Sequence, residues 1–197
     1  MQKLLGNIKK GLIFVISAPS GAGKTTLVRM LSSEFDCVVE SISYTTKKPR
    51  EEEKEAVDYF YISEKEFEKK IKEGFFLEHA KVYNNYYGTS KEFIKKTLDS
   101  SKHIVLVIDT QGAMQLKKLV DAIYIFISPP SISELEKRMQ KRKGDQDIEK
   151  RLQAAEKELE QISNYDYNII NDNLKMTYNI LKSILIAEEH KVKNLKK

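Results

Sequence analysis

Leu12-Ile13-Phe14-Val15-Ile16-Ser17-Ala18-Pro19-Ser20-Gly21-Ala22-Gly23-Lys24-Thr25-Thr26-Leu27 joins an apolar, β-branched run to a glycine loop, and the loop to a helical pattern with apolar Leu27, Met30 and Leu31. Strand, glycine loop, Lys-Thr and helix, in that order, are the context of a phosphate-binding loop. Gly21 and Gly23 lack a Cβ, so the backbone can wrap closely around phosphate oxygens and point its N–H groups at them. The helix that follows turns its N-terminus, with its dipole and orphan donors, toward the same anion. Lys24 is expected to reach the β/γ-phosphates, and the Thr25 hydroxyl to sit on a phosphate-bridging Mg²⁺. Ala18 stands where the strict motif has its first glycine, which a methyl tolerates if φ there is negative.

Outward from this loop, three short apolar runs read as buried parallel strands: 12–16, 104–108 and 123–127. Weaker strand signals lie at 37–42 and 168–170. Helical patterns alternate with them at 24–33, 90–99 with Ser90 as N-cap, 111–119, from Ser131 or Ser133 through Lys141, 147–162, and from Leu174 toward the basic tail. Strands alternating with helices predict an α/β, doubly wound and mainly parallel sheet, with ligands beyond the carboxyl ends of its strands.

Two segments break the alternation. Residues 43–89 are polar and tyrosine-rich, with a short helix at 64–73 between strand-like pieces, and read as an inserted subdomain. Residues 138–151 are dense in Arg and Lys around Gly144 and read as a basic flap able to close over phosphate. The division that follows is one domain over 1–197: core 1–42, 90–135 and 158–197, insertion 43–89, and helical lid 136–157.

Composition narrows the class. The lone Cys37 excludes a disulfide framework and a cysteine metal cluster, and points to a reducing, cytoplasmic setting. No apolar run is long enough for a membrane span. Lys9-Lys10 and residues 12–18 faintly imitate a signal peptide, but cleavage near Ala18 would destroy the loop. The net charge of +5 suits a polyphosphate binder, and no nucleic-acid module motif accompanies it. His79, His103 and His190 are widely spaced and read as surface or packing residues. The Lys-rich ends read as frayed, solvating termini.

The insertion carries the substrate signal. Lys47 and Arg50, with tyrosine hydroxyls, suit a second phosphate. Glu78 has two readings on its own: a plain strand-edge carboxylate, or an acceptor for the parallel N1–H and N2–H₂ donors of guanine, with Ser43 or Thr89 reading O6. Adenine offers no such donor pair.

Taken together, the SAPSGAGKT loop, TTKKPR followed by Tyr59, FLEHA, NYYGTS, IDTQGA and Ile170-Asn171-Asp172 closely resemble the guanylate kinase family, over about residues 11–187. The resemblance implies a P-loop NTPase fold with a GMP-binding insertion and helical lid, and γ-phosphoryl transfer from ATP to GMP with Mg²⁺ held at Thr25. It assigns ATP to Ala18, Pro19, Ser20, Gly21, Ala22, Gly23, Lys24, Thr25 and Thr26, with Asn171 on the adenine side. It places the GMP phosphate on Arg50, Tyr59 and Tyr87, with Lys47 at a position normally arginine. Ser43, Glu78, Thr89 and Asp109 fall around the guanine. Lys24, Arg50, Arg138, Arg142 and Arg151 gather on the transferring phosphoryl group. The expected partners are GMP and ATP, with no nucleic acid, membrane or obligate protein partner, in a monomer or small homo-oligomer.

This chain departs from the family pattern at four places. Lys47 cannot form the bidentate fork of an arginine. Val107 replaces the first aspartate of a D-I-D run, Ala56 a usual glycine, and the lid is slightly shorter. Two other readings share these residues: a kinase for another nucleoside monophosphate, which Glu78 opposes, and a non-catalytic protein-binding module, which the intact Gly23-Lys24-Thr25 opposes.

Overall fold

A computed structural model describes residues 3–82, 84–141 and 147–195. Its central sheet is built from β1 (Ile13–Ser17), β2 (Val38–Ser41), β7 (His103–Val107), β8 (Ile123–Ser128) and β9 (Tyr167–Ile170). The order is β2-β7-β1-β8-β9, and every neighbouring pair is parallel. The three apolar runs become the three central strands, because only a strand covered on both faces can be apolar at every position.

Period-two alternation divides the core. Phe14 and Ile16 of β1 pack on one face with Val105, Ile125 and Ile127 under α1 (Lys24–Glu34) and α7 (Leu174–Glu189). Ile13 and Val15 face the other way, toward α3 (Lys91–Asp99) and α4 (Thr110–Lys117), which supply Ile94, Ala113 and Leu116. Truncating a fully buried side chain such as Phe14 to alanine costs about 3–5 kcal/mol. The helix caps follow the sequence: Ser90 accepts from Phe93 N–H and Ser131 from Glu134 N–H.

Between β2 and α3 the chain forms a second sheet, ordered β4-β3-β6-β5, from β3 (Tyr44–Thr45), β4 (Phe60–Tyr61), β5 (Phe76–Val82) and β6 (Asn85–Ser90). Its small core is aromatic. Phe67 of α2 (Glu64–Lys72) stacks on Phe76 at 4.4 Å and on Tyr86 at 5.2 Å. Arg29 on α1 reaches across to Asp58 at 2.6 Å, joining the helix after β1 to the loop that leads into β4. After β8 come α5 (Ile132–Gln140) and α6 (Ile148–Leu159). The middle of the expected flap, with Arg142 and Gly144, lies outside the described residues.

The amino-terminal stretch does not fray as its lysines suggest. Leu5 and Ile8 are buried, and the Glu189 carboxylate accepts N–H bonds from Gly6 and Asn7 at 2.7 and 3.0 Å. Glu189 also takes the Nε2–H of buried His103 at 2.6 Å, while His103 Nδ1 accepts from Leu12 N–H. Burial holds this imidazole below its ordinary pKa, so it is a neutral packing residue. Two apolar anchors and one saturated carboxylate outweigh the solvation of the neighbouring lysines. Among the described residues no helix is long and apolar enough to cross a membrane.

Candidate functional site

The glycine loop lies at the carboxyl end of β1. Gly21 and Gly23 take φ of 88° and 97°, the left-handed region, whereas Ala18 does not, which is why a methyl is accepted there. Gly23 caps α1 with no side-chain hydrogen bond and no acidic residue follows in the first turn. The first N–H groups of α1 are therefore left without a capping side chain, as an anion site requires. Thr25 and Thr26 are exposed on that turn. Lys24 Nζ folds back over the loop, donating to the carbonyls of Ala18 and Pro19.

Helices α5 and α6 flank the loop with two arginines. Arg151 on α6 donates to Ser20 Oγ at 3.1 Å, and Arg138 on α5 donates to the Asn171 carbonyl at 3.0 Å and to Glu134 at 3.1 Å. Glu158, also on α6, is largely buried, and burial pushes its carboxyl up to about 7, with Lys24 opposing the shift.

The base-reading candidates converge where the second sheet meets α4. Glu78 and Thr89 are cross-strand partners on β5 and β6, and Thr89 Oγ1 donates to Glu78 Oε1 at 2.5 Å. Asp109 caps α4 by accepting from Gly112 N–H at 2.9 Å. A Cβ on Gly112 would stand 2.6 Å from Glu78 Oε2 and 3.2 Å from Asp109 Oδ1, so a larger residue would push the Glu78 carboxylate from its place at this helix terminus. Glu78 is 4% exposed. Burial pushes its carboxyl up to about 7; the Thr89 hydrogen bond pulls the other way, and Asp109 adds to the rise. Burial also raises Asp109, against the Gly112 N–H and Lys24. Ser43 is buried where β2 leads into β3.

The phosphate candidates form a neighbouring group. Tyr59 meets Tyr87 edge-on at 5.9 Å, and the Lys47 ammonium lies 5.0 Å from the Tyr59 ring. Burial pushes the Tyr59 phenol up to about 12, and raises Tyr87 as well. Both therefore remain neutral hydroxyl donors at physiological pH.

One organising residue of this group has no distinct sequence signal. Glu53 pairs with Lys47 Nζ at 2.5 Å, accepts from Arg50 N–H at 2.9 Å and from Tyr61 OH at 3.1 Å. Burial works upward on its carboxyl, but Lys47 and the Arg50 amide outweigh it and hold it below the ordinary range. Glu53 is one of four glutamates between 51 and 55, and nothing local marks it from the others. Gly112 was legible in principle, as a poor helix former placed in a first turn. Val107 lies half-buried on β7 opposite Ile16.

Comparison with known proteins points to one family. A family model described as guanylate kinase matches residues 10–188. The chain is 52% identical over 189 residues to the guanylate kinase of Protochlamydia amoebophila, covering 95% of this chain and 96% of that one. It is 42% identical to a Clostridium perfringens guanylate kinase, covering 100% and 92%. Among solved structures, guanylate kinase from Anaplasma phagocytophilum superposes with a TM-score of 0.80 at 31% identity, over 95% of this chain and 92% of that one.

Proposed function

The chain belongs to the guanylate kinase family, whose reaction moves the γ-phosphoryl group of ATP onto GMP, and we propose that this protein performs it in the cleft between its two sheets. The observation that carries the residue assignment is the meeting of Glu78, Thr89 and Asp109 at the N-terminus of α4, with Lys24 of the glycine loop close enough to act on the Asp109 carboxylate.

In this reading the insertion 43–89 holds GMP. Ionised Glu78 accepts from guanine N1–H and N2–H₂, and Ser43 or Thr89 reads O6. Lys47, Arg50, Tyr59 and Tyr87 hold the acceptor phosphate. The loop from Ala18 to Thr26 holds the triphosphate of ATP, and Lys24 leaves its carbonyl partners for the β/γ oxygens. The lid 136–157 brings Arg138, Arg142 and Arg151 to the transferring group.

A GMP phosphate oxygen forms the new bond to the γ-phosphorus as the bond to the β-phosphate oxygen breaks, leaving ADP and GDP. The attacking oxygen is already anionic near neutral pH, so the protein supplies position and charge rather than a strong base. The donor set fits Mg²⁺: an exposed Thr25 hydroxyl on an uncapped helix turn is a hard oxygen ligand, and water and phosphate complete such shells. Held at Thr25 together with ATP, such an ion would supply positive charge against the polyphosphate. Closure of the insertion and lid keeps water from the γ-phosphate. A monomer or small homo-oligomer in the cytoplasm completes the proposal, the lone Cys37 fitting a reducing compartment.

A coupled ADP-release assay with GMP, AMP, UMP and dTMP tests this. The expected result is a preference for GMP by orders of magnitude; equal rates with AMP overturn the guanine assignment.

A further inference from the structure

Asn171 follows the edge strand β9 at the level of the glycine loop and is 5% exposed. Three of its polar groups bond to three different elements. Its N–H donates to Ser128 O at 2.8 Å, extending the β8–β9 ladder. Its carbonyl accepts from Arg138 Nη1 at 3.0 Å. Its side-chain Nδ2 donates to Ala22 O at 2.8 Å in a buried bond. Since a carbonyl only accepts, the amide must face the loop with its NH₂ group. A Cβ on Gly23 would stand 2.5 Å from this same nitrogen, so the amide fills the space that the missing side chain leaves.

We propose that Asn171 is a positioning residue for phosphoryl transfer: it fixes the glycine loop through the Ala22 carbonyl and seats Arg138 beside it, touching no reacting atom itself. Turning the Ala22 carbonyl toward Asn171 points the Gly23 N–H of the same planar peptide the other way, where a phosphate oxygen can accept it. The same residue sets the loop and one lid arginine in register, so an error at Asn171 misplaces two phosphate-binding groups together. This differs from a contact to the adenine ring, and it rests on the phosphotransfer reading above.

The test compares the unmutated protein with Asn171→Asp and Asn171→Ala. Conversion of labelled GMP to GDP is followed with ATP and with GTP as donor, and GMP affinity is titrated directly. Loss of a buried hydrogen bond predicts a fall in kcat on the order of 10–100-fold. The fall is equal for both donors, larger for Asp, whose carboxylate faces a carbonyl, than for Ala. The ratio of kcat/KM between donors stays within about twofold, as does the GMP Kd, since GMP binds on the other sheet. A donor ratio that shifts tenfold or more with kcat retained overturns the proposal in favour of an adenine contact. Unchanged kcat with both donors overturns it too, as does loss of GMP binding in both variants, which makes the residue merely structural. Failure of the phosphotransfer reading shows separately, as an unmutated protein that makes no GDP, and it removes this proposal with it.

Discussion

The carboxyl of Glu78 sits at about 7 in the ligand-free protein because it is buried, and only its ionised form accepts both guanine donors. At pH 8 it is about nine-tenths ionised, and at pH 6 about one-tenth. Binding GMP therefore expels a proton at acidic pH, and the KM for GMP rises about tenfold from pH 8 to pH 6. The phosphate of GMP titrates in the same range, so the informative quantity is the ratio to Glu78→Gln, which keeps the phosphate titration and loses the carboxylate. That variant raises the KM on the order of 100-fold at pH 8, and the gap narrows about tenfold by pH 6. Stability moves oppositely. A folded-state pKa above the unfolded one penalises the folded protein wherever the group is charged. The penalty is full above about 7 and fades as pH falls toward the ordinary value of 4.5. Ligand-free Glu78→Gln is thus more stable than the unmutated protein at pH 8, by about 3 kcal/mol, and the difference shrinks toward pH 5. Initial-rate kinetics across pH 6–8 and urea melts at both ends measure the two effects. A KM ratio that does not change with pH refutes the reasoning, since it means that Glu78 is ionised throughout or does not touch the base.

Three further outcomes follow from the same geometry. Lys47→Arg restores a fork toward the acceptor phosphate and is expected to lower the KM for GMP several-fold at unchanged kcat; an equal or higher KM in steady-state kinetics shows that the Glu53 pair at 2.5 Å is fitted to lysine. Gly112→Ala drives a methyl within 2.6 Å of Glu78 Oε2, so GMP titration is expected to show affinity lowered on the order of tenfold or more while melting shows the fold intact; unchanged affinity removes Glu78 from the base site. Ala56 is exposed at φ 59°, and Ala56→Gly is expected to raise stability by roughly 0.5–1 kcal/mol in urea denaturation; a destabilised variant contradicts the strain.

Where local chemistry decides a conformation, the sequence was readable. The β-branched runs gave the central strands, Ser90 and Ser131 gave their caps, and the positive φ of Gly21 and Gly23 is what a phosphate loop demands. Features that depend on which of several equivalent residues the fold selects were not readable. Glu53 among four neighbouring glutamates captures Lys47 only because the loop turns it inward. Glu189 resembles any glutamate at a helix end until two backbone N–H groups and His103 saturate it. The direction of the Asn171 amide depends on the Ala22 carbonyl, contributed by a segment 149 residues away. Ala56 in the left-handed region follows from its loop, since its own side chain argues against that conformation.

In the proposed reading, the Arg29–Asp58 pair ties the two nucleotide sites to one another. Arg29 belongs to the helix that begins at Lys24, and Asp58 is the neighbour of Tyr59, so one strut spans from the donor end to the acceptor end of the cleft. The arginine is 51% exposed, which limits the strut to less than about 1 kcal/mol and leaves it open to screening by salt. If the insertion parts from the core in each cycle, as the proposed closure requires, a weak strut suits it, since each additional 1.4 kcal/mol or so in the tie would slow opening about tenfold.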